Sequence, residues 1–213
     1  SDGIVRRVPA VIRVACIVEG DGEVAALPVL LRRLTSWLTP EPYLCILPPI
    51  RVRRDRFLNR PDEFARMLQL AALKSGPDGW ILILLDADDD CPAQLAAKLQ
   101  QRANAEIPHR PVSIVLANRE YEAWFIAAIT SLNGKRGIRI PQDLPRQPEN
   151  IRGAKEWLGK HMAGGRYREV TDQPALSHVL DLQLAHDGSR SFRKLCTEWR
   201  RICGRMMRNQ NTT

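Results

Sequence analysis

The sequence predicts an α/β fold: a doubly wound, mainly parallel sheet flanked by helices, with a mainly helical C-terminal subdomain. Three observations carry this prediction. Short apolar, β-branched runs recur between residues 11 and 117, and segments with three- and four-residue apolar spacing separate them. The runs are continuous rather than alternating, as strands buried on both faces should be. After Ile129 the alternation weakens, and helical patterns with short loops take over.

Each element has its own signal. Val11–Val18 reads as the first buried strand, closed by Glu19-Gly20-Asp21-Gly22-Glu23. Val24, Leu27, Leu30, Leu31, Leu34 and Leu38 then mark a helix that Pro40 and Pro42 stop. Tyr43–Leu47 reads as a short strand, and Arg51–Asn59 as a polar, Arg-rich connector. Pro61-Asp62-Glu63 opens a helix through Leu73, with proline in the first turn and acids near the positive helix end. Trp80–Leu85 is the clearest buried strand and runs straight into Asp86-Ala87-Asp88-Asp89-Asp90. Pro92 starts a helix to about Ala105, Pro111–Ala117 is another buried strand, and Glu120–Ile129 has helical spacing. Residues 134–150 are loop-like, and helices resume through Trp157, Leu176, Leu182 and Phe192. These patterns divide the chain into a sheet domain over 11–130 and a basic, mainly helical subdomain over 131–213.

Composition excludes several classes. With 44% hydrophobic and 26% charged residues, the 213-residue chain has the apolar content of a globular protein rather than a disordered or fibrous one. No apolar run is long enough for a membrane span. The start, Ser1–Arg7, lacks a signal-peptide h-region, which places the protein in the cytoplasm. Cys16, Cys45, Cys91, Cys196 and Cys203 show no CxxC spacing and read as small, reduced, buried hydrophobes; the histidines lack zinc spacing. The net charge of +8 is unevenly placed: residues 1–110 hold 15 basic and 14 acidic side chains, and residues 111–213 hold 17 and 10. Such a basic second half attracts phosphate polymers, although solubility alone also accounts for it.

Two buried strands discharge into carboxylates, and strand ends of an open α/β sheet are where ligands bind. The first gives Glu19, with Glu23 four residues on, in the first turn of the next helix. The other gives Asp86 and Asp88, which alternate by two and so point to one side of an extended segment. Asp89 and Asp90 read as helix caps. Clustered carboxylates repel one another, and hard divalent cations such as Mg²⁺ or Mn²⁺ neutralise them best. Such ions activate water against a phosphodiester.

Val18-Glu19-Gly20 with Glu23, followed by Leu85-Asp86-Ala87-Asp88, resembles the Toprim domain of topoisomerases, primases and the overcoming-lysogenization-defect nucleases. Asn118-Arg119-Glu120-Tyr121-Glu122-Ala123-Trp124-Phe125 is similar to a block of an uncharacterised bacterial Toprim-like family, the 4276 type. The Toprim likeness covers about residues 11–130; the other extends to Gly153–Leu158 and Ser191–Leu195. The resemblance implies Mg²⁺ or Mn²⁺ on Glu19, Asp86 and Asp88, with Glu23, and Glu122 ahead of Glu120, serving a second ion. Asp89-Asp90-Cys91-Pro92 departs from the usual family continuation. No topoisomerase cleavage domain or primase zinc ribbon is recognisable, which leaves the nuclease branch.

A metal-dependent nuclease is therefore expected, with Lys155 as a candidate cation for the transition state. Arg51, Arg53, Arg54 and Arg56 form one candidate rail for a phosphate backbone. Lys194, Arg201, Arg205 and Arg208 form another, beside an apolar helix face of Phe192, Leu195, Cys196, Trp199, Ile202, Cys203 and Met206. A solvated helix face explains the latter rail equally well. The chain carries no Walker-type phosphate loop, and the resemblance implies an ATPase partner and a role in bacterial anti-phage defence or a toxin-like system. The alternatives are a non-catalytic nucleic-acid-binding or regulatory subunit, and a small-molecule phosphotransferase or phosphatase using the same acids.

Overall fold

The computed structural model describes residues 11–41 and 43–211; the segment read for a signal peptide and Pro42 lie outside them. In chain order the strands are β1 (Ile12–Val18), β2 (Leu44–Ile46), β3 (Ile50–Arg51), β4 (Trp80–Asp86) and β5 (Val112–Ala117). The sheet is parallel throughout and runs β2-β1-β4-β5, with β3 continuing the β2 edge against the far end of β1. The helices are α1 (Asp21–Leu38), α2 (Arg54–Asn59), α3 (Pro61–Ser75), α4 (Pro92–Glu106), α5 (Ala123–Ala127), α6 (Ala154–Lys160), α7 (Glu169–Val179), α8 (Leu182–Gly188) and α9 (Arg190–Asn211). None of them, among the described residues, is long and apolar enough to cross a membrane.

The continuous apolar strands follow from burial on both faces. Trp80, Leu82 and Leu84 of β4 join one core with α1, α5, α7 and α9. Ile81, Ile83 and Leu85 point the other way, into a second core with α2, α3 and α4. The first core also holds Phe192, Leu195, Cys196, Trp199, Ile202 and Cys203, so the apolar face of α9 is buried as its spacing predicts. Trp80 packs edge-on against Trp199 at 5.0 Å between ring centres. Its indole N–H donates to Ser113 Oγ at 3.1 Å, and that hydroxyl donates to Glu198 Oε2 at 2.9 Å, joining β4, β5 and α9 through buried groups.

Several local expectations change. Residues 51–59 are not a plain connector: Ile50–Arg51 pairs with β1, and Arg54–Asn59 forms α2 around the buried Phe57. The helix expected from Glu120 begins only at Ala123. Asp89 and Asp90 do not cap α4, whose N-cap is Cys91; Asp89 pairs with Arg119 and Arg152, and Asp90 with Arg54. Cys16, Cys196 and Cys203 are buried, but Cys91 is exposed and Cys45 half-buried.

Candidate functional site

β1 is followed by β2 on one side, while β4 pairs on the other. The chain therefore reverses its direction of winding between β1 and β4, and the crevice outside the carboxyl ends of those strands is where such sheets bind ligands. Glu19 directly follows β1, Asp86 ends β4, and Glu23 lies in the first turn of α1. The remaining acids come from the turn after β5, which carries Glu120 and Glu122. The structure thus brings Glu19, Glu23, Asp86 and Glu122 to one end of one sheet.

Asp88 arrives differently. Its φ of 51° is left-handed, and Asp90 N–H closes the turn onto Ala87 O, so the segment is not extended and simple alternation does not apply. Arg54 at the start of α2 holds this turn. Its guanidinium donates to the carbonyls of Asp86 and Ala87 at 3.1 and 3.3 Å and reaches Asp88 at 3.5 Å and Asp90 at 2.7 Å. Glu19, Arg51, Arg53, Arg54 and Asp88 line a cleft of about 400 Å³.

Deeper in, α6, α7 and the segment between them supply partners from the second half of the chain. Tyr167 donates its hydroxyl to Glu122 Oε1 at 2.8 Å. Gln173 donates from Nε2 to Glu122 Oε1 at 3.0 Å and to Glu23 Oε1 at 3.3 Å. Lys155 Nζ lies 3.2 Å from Glu169 Oε2, and its backbone N–H donates to Glu120 Oε2. The glycines of the β1–α1 turn make room for this. A methyl group on Gly20 would collide with Glu23 Oε2 and press on Glu169, and one on Gly22 would collide with Gln173 Oε1.

The carboxyls are electrostatically strained. Burial, reinforced by Glu122, Glu23 and Glu19, pushes Asp86 well above the usual carboxylate range against the pull of Lys155. Glu122 is pushed up to about 7 by burial, although Lys155 and the Tyr167 hydroxyl oppose the rise. Burial and then Asp88 raise Glu19, and Arg54 counters them. Burial alone would lower the Lys155 ammonium, but Glu122, Asp86 and Glu169 outweigh it and raise its pKa. Lys155 is thus a built-in counter-ion for the cluster.

Glu19 Oε2, Glu23 Oε2 and Glu122 Oε2 are buried without a hydrogen-bond partner. Buried carboxyl oxygens left unpaired are costly, and a hard cation is the ligand that their chemistry fits. They do not form a ready cage: among the described residues, no group of three His, Cys, Asp or Glu side chains stands placed to hold a metal ion. Glu19, Glu23, Asp86, Asp88 and Glu122 are the carboxyl groups that a cation at this strand end would meet.

The predicted arginines divide into two places. Arg51, Arg53 and Arg54 border the acid cleft. Arg201 and Arg205 line a different cleft, of about 740 Å³, with Arg110, beside Val112 at the opposite end of β5. Arg201 and Lys194 pair with Glu198, Arg205 and Arg208 are exposed, and Arg56 pairs with Glu63. Tyr167, Glu169 and Gln173 were missed by sequence reasoning. One signal existed for Gln173: it stands three residues before Leu176 and seven before Leu180, a polar side chain on the apolar stripe of α7.

A model of the family described as a domain of unknown function, DUF4276, matches residues 18–199. The chain belongs to the DUF4276 family. The match begins at the end of β1 and ends at Trp199 in the first half of α9, so it spans both the strand-end acids and the helices that supply their partners. No curated protein and no solved structure matches this DUF4276 chain.

Proposed function

We propose that this DUF4276 protein is a metal-dependent nuclease of the Toprim type that hydrolyses nucleic-acid phosphodiesters. The observation that carries the reading is the set of unpartnered buried oxygens on Glu19, Glu23 and Glu122, beside Asp86 at the point where the sheet reverses its winding. Glu19, Asp86 and Asp88, with Glu23 and Glu122, would hold Mg²⁺ or Mn²⁺. When bound, such ions supply an activated water and stabilise the leaving oxygen.

The chain's own residues do the remainder. Arg51 and Arg53, exposed at the cleft, would receive the phosphate backbone without reading sequence. Lys155 balances the acids in the metal-free protein and would meet charge that builds on the phosphoryl oxygens. Tyr167 and Gln173 orient Glu122. The likeness to the overcoming-lysogenization-defect nucleases supports a cytoplasmic role in anti-phage defence or a toxin-like system, beside an ATPase partner.

A second reading, a non-catalytic nucleic-acid-binding or regulatory subunit, is favoured by two observations: Lys155 already balances the acids, and no three of them converge as an ion cage. The experiment that separates the two is incubation of wild type and Asp86→Asn with Mg²⁺ or Mn²⁺ and plasmid, single-stranded DNA and tRNA. Cleavage by wild type that Asp86→Asn loses, with nucleic-acid affinity retained, supports the nuclease. Binding by wild type without cleavage on any substrate supports the regulatory subunit.

A further inference from the structure

We propose that Gln173 is a positioning residue that pairs Glu23 with Glu122 and presents their outer oxygens to one cation; this rests on the reading of the acids as a metal site. Gln173 is fully buried on α7, and its single amide nitrogen donates to Oε1 of both carboxylates. Tyr167 takes the same Oε1 of Glu122. The inner oxygens of both acids are therefore occupied, while the outer ones, Glu23 Oε2 and Glu122 Oε2, are buried and unpartnered.

An uncharged donor suits this task. An amide orients both carboxylates without adding a second positive charge to the one that Lys155 already brings. The arrangement also gives Gly22 a reason. Gln173 Oε1 rests where a Cβ at residue 22 would stand, so the glycine is the seat of the amide. Two segments 150 residues apart in sequence are thereby matched to each other.

The test is Mn²⁺ titration of the full chain, read from the electron paramagnetic resonance signal of free Mn²⁺. Wild type, Glu122→Gln, Gln173→Met, Gly22→Ala and Glu169→Ala are compared. Methionine keeps the length and bulk of Gln173 and removes its donors, so a packing role would survive the change. The expected result is that Gln173→Met weakens the Mn²⁺ site that Glu122→Gln abolishes, by about 10–100-fold, the usual cost of losing an outer-shell partner. Gly22→Ala should do the same by unseating the amide with both carboxylates intact; its Cβ also presses on Glu169 Cγ, so only weakening beyond that of Glu169→Ala counts, and that comparison decides the matter if Gln173→Met fails to fold. Mn²⁺ affinity equal to wild type in a folded Gln173→Met or Gly22→Ala protein overturns the proposal while the metal reading stands. No Mn²⁺ binding by wild type overturns both.

Discussion

The backbone N–H of Tyr121 donates to Oδ1 of Asp86 across 2.9 Å, fixing the last residue of β4 against the turn that follows β5. The chain then enters α5 through tight i→i−3 turns, Ala123 N–H to Glu120 O and Trp124 N–H to Tyr121 O, so the helical spacing from Glu120 becomes α-helix only at Ala123. The Tyr121–Asp86 bond also sets Glu122 close enough to hinder the ionisation of Asp86.

Asp86→Asn keeps an oxygen to accept the Tyr121 N–H and removes one charge from the cluster. The metal-free variant should melt no lower than wild type, because repulsion with Glu122, Glu23 and Glu19 is relieved. Wild type should gain about 2.7 kcal/mol from Mn²⁺ at a free concentration about 100 times Kd. Thermal melts with and without Mn²⁺ check this, and an equal Mn²⁺ shift in both proteins would count against a site at Asp86.

Stability of the metal-free protein should fall as pH rises from about 4.5 to about 7. Glu122 has an ordinary value of 4.5 and a folded value of about 7. Between them the folded chain holds a proton that the unfolded chain has released, and the penalty is complete above the folded value. Asp86 and Glu19 are also raised and act in the same direction. Lys155 is raised as well, but as a base its stabilisation persists across this window and is lost only at higher pH. Melts in chelator should show wild type more stable near about pH 5 than near about pH 8, with a flatter profile for Glu122→Gln.

Glu149 is a stabilising acid of the opposite kind. It is buried and accepts from Ser189 Oγ at 2.6 Å and from the Ser191 N–H at 2.8 Å, closing the start of α9. Burial would raise its pKa, but the hydrogen bonds from Ser189 and Ser191 outweigh that and lower it. Glu149→Ala should cost about 2–3 kcal/mol by denaturant unfolding, the order expected for buried hydrogen bonds to a charged group. A loss under about 0.5 kcal/mol, the range of an ordinary surface change, would contradict this account.

Arg205→Gln with Arg208→Gln tests the far arginines separately from Arg51 and Arg53. If duplex DNA lies against α9, the salt slope of binding should flatten by up to about 0.9 per lost phosphate contact. Salt titrations of affinity decide it. An unchanged slope in the α9 double variant, with a reduced one in Arg51→Gln and Arg53→Gln, would place the polymer at the acid cleft alone.

The sheet was legible because its signal is local: a strand buried on both faces must be apolar throughout, as Trp80–Leu85 is. The strand-end acids were legible for the same reason, since Glu19 and Asp86 follow such runs directly. The arrangement of Asp88 was not, because a left-handed φ at an aspartate leaves no periodic trace. Nor were Tyr167, Glu169 and Gln173, which reach the site only through the packing of α7 on α1. The sequence of α2 hides its helix behind charge: Phe57 alone is fully buried there, and the arginines around it read as loop.

The distance along the chain between Glu23 and Gln173 also orders events during synthesis. A ribosome adds Glu19, Glu23, Asp86 and Glu122 to the chain before it adds Lys155 and Gln173. The growing chain thus carries its acids without the ammonium that balances them or the amide that aligns them, and α1 waits with Gly22 uncovered. Translation order itself withholds the completed cleft until α7 has docked.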